Sequence, residues 1–220
     1  MSTLPIFKSE ELVAIQKKRE KIILIGGGGH CKACIDVIEL SGHFHIEGIV
    51  DVPDKLHNKL LGYEIIATDD DLPQLVNENG NFLVTLGQIK SPEKRIRIFQ
   101  ILKDLKAKLP KIISPLAYVS RHAQIDEGTI VMHHALVNAG AHVGKNCIIN
   151  TKALVEHDAK IGNHCHISTG AIINGGVKVK SGTFFGSNAA TQENIEIGRN
   201  SVIGCQVKVL NNISSGSLVK

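Results

Sequence analysis

From Val119 to Val209 every sixth residue is bulky and apolar, and the phase does not slip. The column runs Val119, Ile125, Val131, Val137, Val143, Ile149, Val155, Ile161, Ile167, Ile173, Val179, Phe185, Thr191, Ile197, Ile203 and Val209, with Thr191 as its one polar member. Four residues after most of these stands a smaller one, as in Ala123, Thr129, Ala135, Ala141, Cys147, Ala153, Ala159, Cys165 and Ala171. An α-helix turns every ~3.6 residues and cannot hold a strict period of six on one face. A plain alternating β domain contains a period of six within its period of two, yet it leaves the small residues at the fourth place unexplained. A β-solenoid accounts for both. Three short strands per coil each send one large side chain inward, so the column returns after one full coil, and about five coils fit before the C-terminus.

Upstream the pattern changes. Residues 1–20, with Lys8-Ser-Glu-Glu-Leu and Gln16-Lys-Lys-Arg-Glu, read as a polar, helix-prone arm. Residues 21–113 read as a small Rossmann-like α/β domain, and residues 114–220 as the solenoid. Ile22-Ile-Leu-Ile25 is a short apolar run suited to a strand buried on both faces. Gly26 to Gly29 and His30 follow, then a helix-like stretch from Cys31 to Leu40 and a second strand from Ile46 to Val50, ending at Asp51. Asp69-Asp-Asp-Leu-Pro starts a further helix with acids at its positive end. Asn81 to Leu86 reads as a third strand before Gly87, and Pro92 opens a helix carrying Arg95 and Lys103. Ile112 and Ile113 form a final short strand, with Ser114-Pro115 marking the boundary to the repeat.

A glycine loop between a strand and a helix invites a dinucleotide reading, but Cys31 stands where the third glycine of that fingerprint belongs. The physical logic survives in weaker form. Backbone N–H groups at a helix N-terminus attract anions such as a sugar-linked pyrophosphate, and Asp51 can accept hydrogen bonds from ribose or sugar hydroxyls. The alternative is that the glycines only permit a tight turn.

Composition narrows the classes. The 220 residues are 43% apolar and carry a formal charge of +4, with cations and acids interspersed, which argues for a cored protein and against nucleic acid. No apolar run approaches the roughly 20 residues of a membrane span, no leader-like segment opens the chain, and the five cysteines are mostly isolated; the expected location is the cytoplasm. Cys31-x-x-Cys34 lacks thioredoxin-like flanks and reads as core packing. His133, His134, His164 and His166 fall in different columns of the solenoid and form no ligand pair, so no metal is expected.

The segments Ile161-Gly-Asn-His, Val143-Gly-Lys-Asn and Ile197-Gly-Arg-Asn are similar to the hexapeptide repeats of left-handed β-helix acyltransferases. Gly28-Gly-His30, Asp51, Ile113-Ser-Pro-Leu-Ala-Tyr-Val119 and Asn150-Thr-Lys-Ala-Leu-Val-Glu-His-Asp158 together resemble one bacterial family. It is the sugar acetyltransferase family of the UDP-bacillosamine N-acetyltransferase PglD, the GDP-perosamine N-acetyltransferases and the sialic acid O-acetyltransferase NeuD. The resemblance spans about residues 21 to 213. It implies a nucleotide-sugar-binding N-terminal domain, a left-handed parallel β-helix, a homotrimer, and acetyl-CoA held between neighbouring subunits as co-substrate.

By that resemblance His157 is the catalytic base and Asp158 orients it, with Glu156 as a second candidate for that role. Imidazole suits the task independently, because acyl transfer to an amine or hydroxyl needs a proton acceptor near neutral pH. Adjacent strand residues point to opposite faces, so a His157–Asp158 contact requires a coil corner. The resemblance places His166 at the thioester, the Gly175 N–H at the thioester oxygen, and Ser187 and Cys205 along the coenzyme channel; His164 has no counterpart and reads as a surface residue. The substrate set is Gly28, Gly29, His30, Asp51 and Gly87. The expected reaction is acetyl transfer from acetyl-CoA to the amine of a nucleotide-linked amino sugar in surface glycan synthesis. Sialic acid O-acetylation and a non-catalytic solenoid scaffold are the alternatives.

Overall fold

The computed structural model describes residues 19–78 and 80–220, so nearly all of the expected N-terminal arm lies outside the described residues. The N-terminal part comprises β1 (Glu20–Ile25), α1 (Gly29–Ser41), β2 (Phe44–Val50), β3 (Lys59–Leu60), β4 (Tyr63–Ala67), α2 (Leu72–Glu78), β5 (Asn81–Val84) and α3 (Glu93–Asp104). The strands lie in the order β3-β4-β2-β1-β5, all parallel except β3. Ile22 to Ile25 are fully buried, as an apolar run covered on both faces requires. Strand β4 was not expected from the sequence; its Tyr-Glu-Ile-Ile-Ala run is too short and too mixed to announce itself. The direction of winding reverses between β2 and β5 about the central β1. That places a crevice at the carboxyl ends of β1 and β5, the switch point where open α/β sheets bind ligands.

The C-terminal part is a left-handed parallel β-helix with three flat faces of two-residue strands. Face one has seven strands, from Ile112–Ile113 to Leu218–Val219; face two has six, from Tyr118–Val119 to Lys208–Val209; face three has five, from Gln124–Ile125 to Glu196–Ile197. Each strand pairs in parallel with those one coil below and above, as His142 does with Gln124 and Lys160. The six-residue column fills the interior, where Val137, Val143, Ile149, Val155 and Ile167 have no exposed surface. Corner turns need a left-handed backbone at one residue, and it falls on Asn146, Asp158, Asn188, Asn194 and Asn200 among others, residues that tolerate it better than most.

Two ends of the solenoid correct the sequence reading. Ile112–Ile113, expected to close the α/β domain, pairs instead with Ile130–Val131 and stands one period before Val119. Ser114-Pro115 is therefore a coil corner: the Ser114 N–H donates to Val131 O and its hydroxyl accepts the Leu116 N–H. At the other end Val202–Ile203 pairs with Leu218–Val219 and Ile197 bridges to Ile213, so the final coil is shorter than those below it.

The two parts share a core. The outward side chains Ile130 and Ile148 of face one, with Ile112 and Met132, bury against Cys31, Cys34, Ile35 and Ile38 of α1. Both cysteines are free and buried, consistent with packing. Beside this core Arg95 is fully buried without a carboxylate partner. Its guanidinium donates to Val84 O at 3.0 Å, to Leu86 O, and to the backbone and side-chain oxygens of Asn146 at 3.1 and 2.7 Å. It ties the end of β5 to a solenoid corner.

Candidate active site

The corner between faces two and three carries His157 and Asp158 in one turn, with Asp158 in the left-handed conformation at φ 59°. That backbone brings the two adjacent side chains to one side, and His157 Nδ1 lies 2.9 Å from Asp158 Oδ2. The hydrogen bond to Asp158 raises the imidazole pKa above its ordinary value; slight desolvation opposes this, and the charges of Asp158, Glu156 and Glu193 add to it. With Nδ1 turned to the carboxylate, Nε2 is the free nitrogen. Glu156 does not face the ring: its carboxylate accepts the His157 N–H at 3.1 Å and the Asn138 amide at 2.8 Å.

One coil above, Gly175 lies flat against the imidazole. A Cβ built there would stand 2.8 Å from His157 Cε1 and Nε2, closer than carbon atoms approach. His157, Asp158, Gly175, Gly176, Glu193 and Asn194 line a shallow cavity of about 330 Å³.

The glycine loop divides in two. Gly26, at φ 106°, packs against Leu86, and a Cβ on Gly27 would meet Asp51 Oδ2 at 2.9 Å, so neither admits a side chain. Gly28 and Gly29 face open space at the start of α1, where backbone N–H groups are unpaired. Asp51 Oδ2 accepts the Gly27 N–H and the Lys55 ammonium, each at 2.8 Å, and Oδ1 accepts the Val52 N–H. Desolvation works against its ionisation, but the bonds from Lys55, Val52 and Gly27 outweigh it and hold the carboxyl below its ordinary pKa. A cavity of about 290 Å³ opens beside it, lined also by Thr68, Asp69, Asp70, Lys94 and Arg97. These last five were not legible as site residues, because they come from two segments that only the sheet topology brings together. Gly87 is exposed and packs beside His30.

His30 and His166 meet at the joint between the two parts, their ring centroids 6.4 Å apart. His166 is 7% exposed; its Nδ1 donates to Gln88 O at 2.6 Å and its Nε2 accepts from the Asn150 amide at 3.1 Å. Burial lowers its pKa to about 4, and burial with the charges of Arg95 and His166 lowers that of His30 to about 3. In this tautomer Nε2 carries no proton to offer an acyl oxygen. His164, expected at the surface, is half-buried instead: its ring packs edge-on against Phe99, and Nδ1 lies 2.9 Å from the Asn146 amide.

Ser187 and Cys205 stack one coil apart on the corner between faces one and two. They line a groove with Ile89, Lys90, Phe184 and Leu218. On the same corner Ser114, His133 and Asp36 form a hydrogen-bonded chain at 2.7 Å per link. Ser114 is buried, so this chain is a strut between α1 and the solenoid and no nucleophile. No cluster of three or more metal-ligating side chains forms among the described residues, nor any helix long and apolar enough to cross a membrane.

The α/β part covers face one, and His157 stands on the opposite corner of the triangular solenoid. One chain therefore gathers His157, Asp158 and Gly175 at one place, and Gly28, Gly29, His30, Asp51 and Gly87 at another.

The profile of the PglD N-terminal domain matches residues 21–102. No curated protein sequence matches the chain. Among solved structures, the chain is similar to PerB from Caulobacter crescentus in complex with CoA and GDP-perosamine, at 29% identity and a TM-score of 0.83 over 90% of this chain and 92% of that one. It is similar also to the acetyltransferase domain of PglB from Neisseria gonorrhoeae in complex with acetyl coenzyme A, at 28% identity and a TM-score of 0.83 over 91% and 95%. WeeI from Acinetobacter baumannii shares the fold at 17% identity, with a TM-score of 0.81 over 91% and 97%. A PglD-type N-terminal domain, a hexapeptide-repeat solenoid and neighbours matched along nine-tenths of both chains lead to one conclusion: this chain is an acyltransferase, similar to PerB and to the acetyltransferase domain of PglB.

Proposed function

We propose that the protein transfers the acetyl group of acetyl-CoA to the amine of a nucleotide-linked amino sugar, with His157 as general base, in bacterial surface glycan synthesis. The observation that carries this reading is the His157 Nδ1–Asp158 Oδ2 bond, which leaves Nε2 free beside Gly175 and makes the ring a stronger base. The sugar amine attacks the thioester carbonyl, forming the C–N bond; Nε2 takes the amine proton; the C–S bond breaks and the thiolate leaves with that proton returned by His157. A backbone N–H at Gly175 faces the charge that develops on the carbonyl oxygen. Donors of that kind are worth about 3 kcal/mol in acyl transfer.

The nucleoside end fits the cavity beside Asp51, and the pyrophosphate fits the open N-terminus of α1 at Gly28 and Gly29 near His30 and Gly87. Acetyl-CoA fits the groove of Ser187 and Cys205. His166, with both ring nitrogens engaged, holds the loop that carries Gly87 and does not donate to the thioester.

Because His157 and the substrate loop lie on opposite sides of one chain, a neighbouring copy completes each site in this reading. Face two supports a trimer: its outward residues Tyr118, Leu136, Leu154, Ile172 and Ala190 form an uncovered apolar ladder that ends at Lys208, whereas face three presents Gln124, His142, Lys160, Lys178 and Glu196. The test is a panel of UDP- and GDP-linked amino sugars and free sialic acids, each with acetyl-CoA, followed by thiol release and mass analysis of the product. Acetylation of an amine on a nucleotide-sugar supports the proposal. Acetylation of sialic acid hydroxyls alone overturns it in favour of O-transfer.

A further inference from the structure

Thr191 is the one polar residue in the interior column, it is 4% exposed, and it adjoins the turn that holds Gly175. In the coils below, the residue that opens this corner donates its N–H to the carbonyl one coil above: Asn138 to Val155 O and Glu156 to Ile173 O, each at 2.9 Å. Asn174 departs from that rule. Its N–H donates to Thr191 Oγ1 at 2.9 Å, while its side-chain amide donates to Thr191 O at 2.6 Å. The ladder registers Ile172 with Ala190 and stops short of Ile173 with Thr191.

The consequence falls on the next residue. Asn138 uses its own Oδ1 to accept the Ala139 N–H at 2.8 Å, and Glu156 uses Oε2 to accept the His157 N–H at 3.1 Å. Asn174 has the same side chain as Asn138 and the same place in the coil, yet its amide is drawn to Thr191. The Gly175 N–H is left without a protein acceptor among the described residues. Gly175 is nevertheless buried, beneath the His157 ring and at the edge of the cavity. A backbone donor in that position, left unpaired by its own neighbour, suits an incoming acceptor.

We propose that Thr191 is a positioning residue: by holding Asn174 through both its hydroxyl and its carbonyl, it keeps the Gly175 N–H free to meet the reacting thioester oxygen beside His157. This rests on the roles proposed for His157 and Gly175. Valine at 191 matches the apolar column and restores the regular backbone bond, so it spares the fold while releasing Asn174 to cap Gly175.

The experiment compares Thr191→Val, Thr191→Ser and His157→Ala for kcat, both KM values and thermal midpoint. The expected result is a kcat lower by about 10- to 100-fold in Thr191→Val, with unchanged KM values and a midpoint no lower than the parent; a factor of that size is what misplacing a transition-state donor costs. Thr191→Ser, which keeps the hydroxyl, recovers most of that loss. Parental kcat in Thr191→Val, or equal losses in the Val and Ser variants, overturns the proposal. Should Thr191→Val melt early, Thr191→Ala against Thr191→Ser decides on the same terms. An active His157→Ala shows that the underlying reading of the site has failed, whereas an inactive His157→Ala with an unimpaired Thr191→Val sinks the Thr191 proposal alone.

Discussion

Replacing Gly175 by alanine tests the geometry at its tightest point. The added Cβ would stand 2.8 Å from His157 Cε1 and Nε2, against about 3.5 Å for an unstrained contact. The ring must therefore move by several tenths of an ångström. The imidazole side chain is 64% exposed and held by one hydrogen bond, so it yields at little cost in stability. Nε2, the proposed base, moves with it, and a displacement approaching 1 Å lowers turnover by up to about 100-fold, or roughly 2.7 kcal/mol of barrier. Gly175→Ala should thus lose about 10- to 100-fold in kcat while its thermal midpoint stays within a few degrees of the parent. Gly176→Ala is the contrast, because Gly176 sits at φ 67° against the Asn194 side chain, and substitution there should lower stability first. Parental kcat in a folded Gly175→Ala protein would show that the position of the His157 ring does not set turnover.

Asp158→Asn should move the acid limb of the kcat/KM profile to lower pH: the carboxylate raises the His157 pKa, the proposed general base works as the neutral ring, and removing the charge lets the ring stay neutral in more acid solution. Stability should fall as pH drops from about 6.5 towards 4, because His30, His164 and His166 have lowered pKa values in the fold and bind protons more readily once unfolded. Denaturant midpoints across that range test this, and His166→Gln should flatten the dependence. Arg95→Met should lower stability by roughly 3 kcal/mol, since it strips donors from the buried carbonyls of Val84, Leu86 and Asn146; equilibrium unfolding reads the change. Leu154→Glu on face two should give monomers in analytical ultracentrifugation and abolish activity, if copies pack there and complete each other's sites.

The column of apolar residues made the solenoid legible because its interior admits one large side chain per strand, and that constraint is written into the sequence at every coil. The ends were less legible. Ser114-Pro115 has the composition of a linker, although Ser114 caps a corner, and after Leu210-Asn-Asn212 the interior place falls on Ile213, four residues past Val209 instead of six, so the last coil is shorter. In the α/β part the buried β1 and its glycine loop were plain, but β4 is brief and mixes Tyr63 and Glu64 with its apolar residues. At the site, the proximity of His157 and Asp158 followed from a corner turn, and Asp158 is of a residue type that tolerates the required backbone. The burial of His164 did not follow, because Phe99 reaches it from another part of the chain. Thr191 stood out only as an irregularity until its bonds to Asn174 gave it a partner.

The proposed role of His157 is to remove the proton from the attacking amine. Its most direct test is kcat for His157→Asn on the nucleotide-linked amino sugar identified by the panel, with calorimetric affinities for both substrates measured on the same protein. Loss of a general base predicts a turnover lower by about two to four orders of magnitude, with both affinities retained. Turnover within a few-fold of the parent would contradict the claim and return His157 to the role of an exposed corner residue.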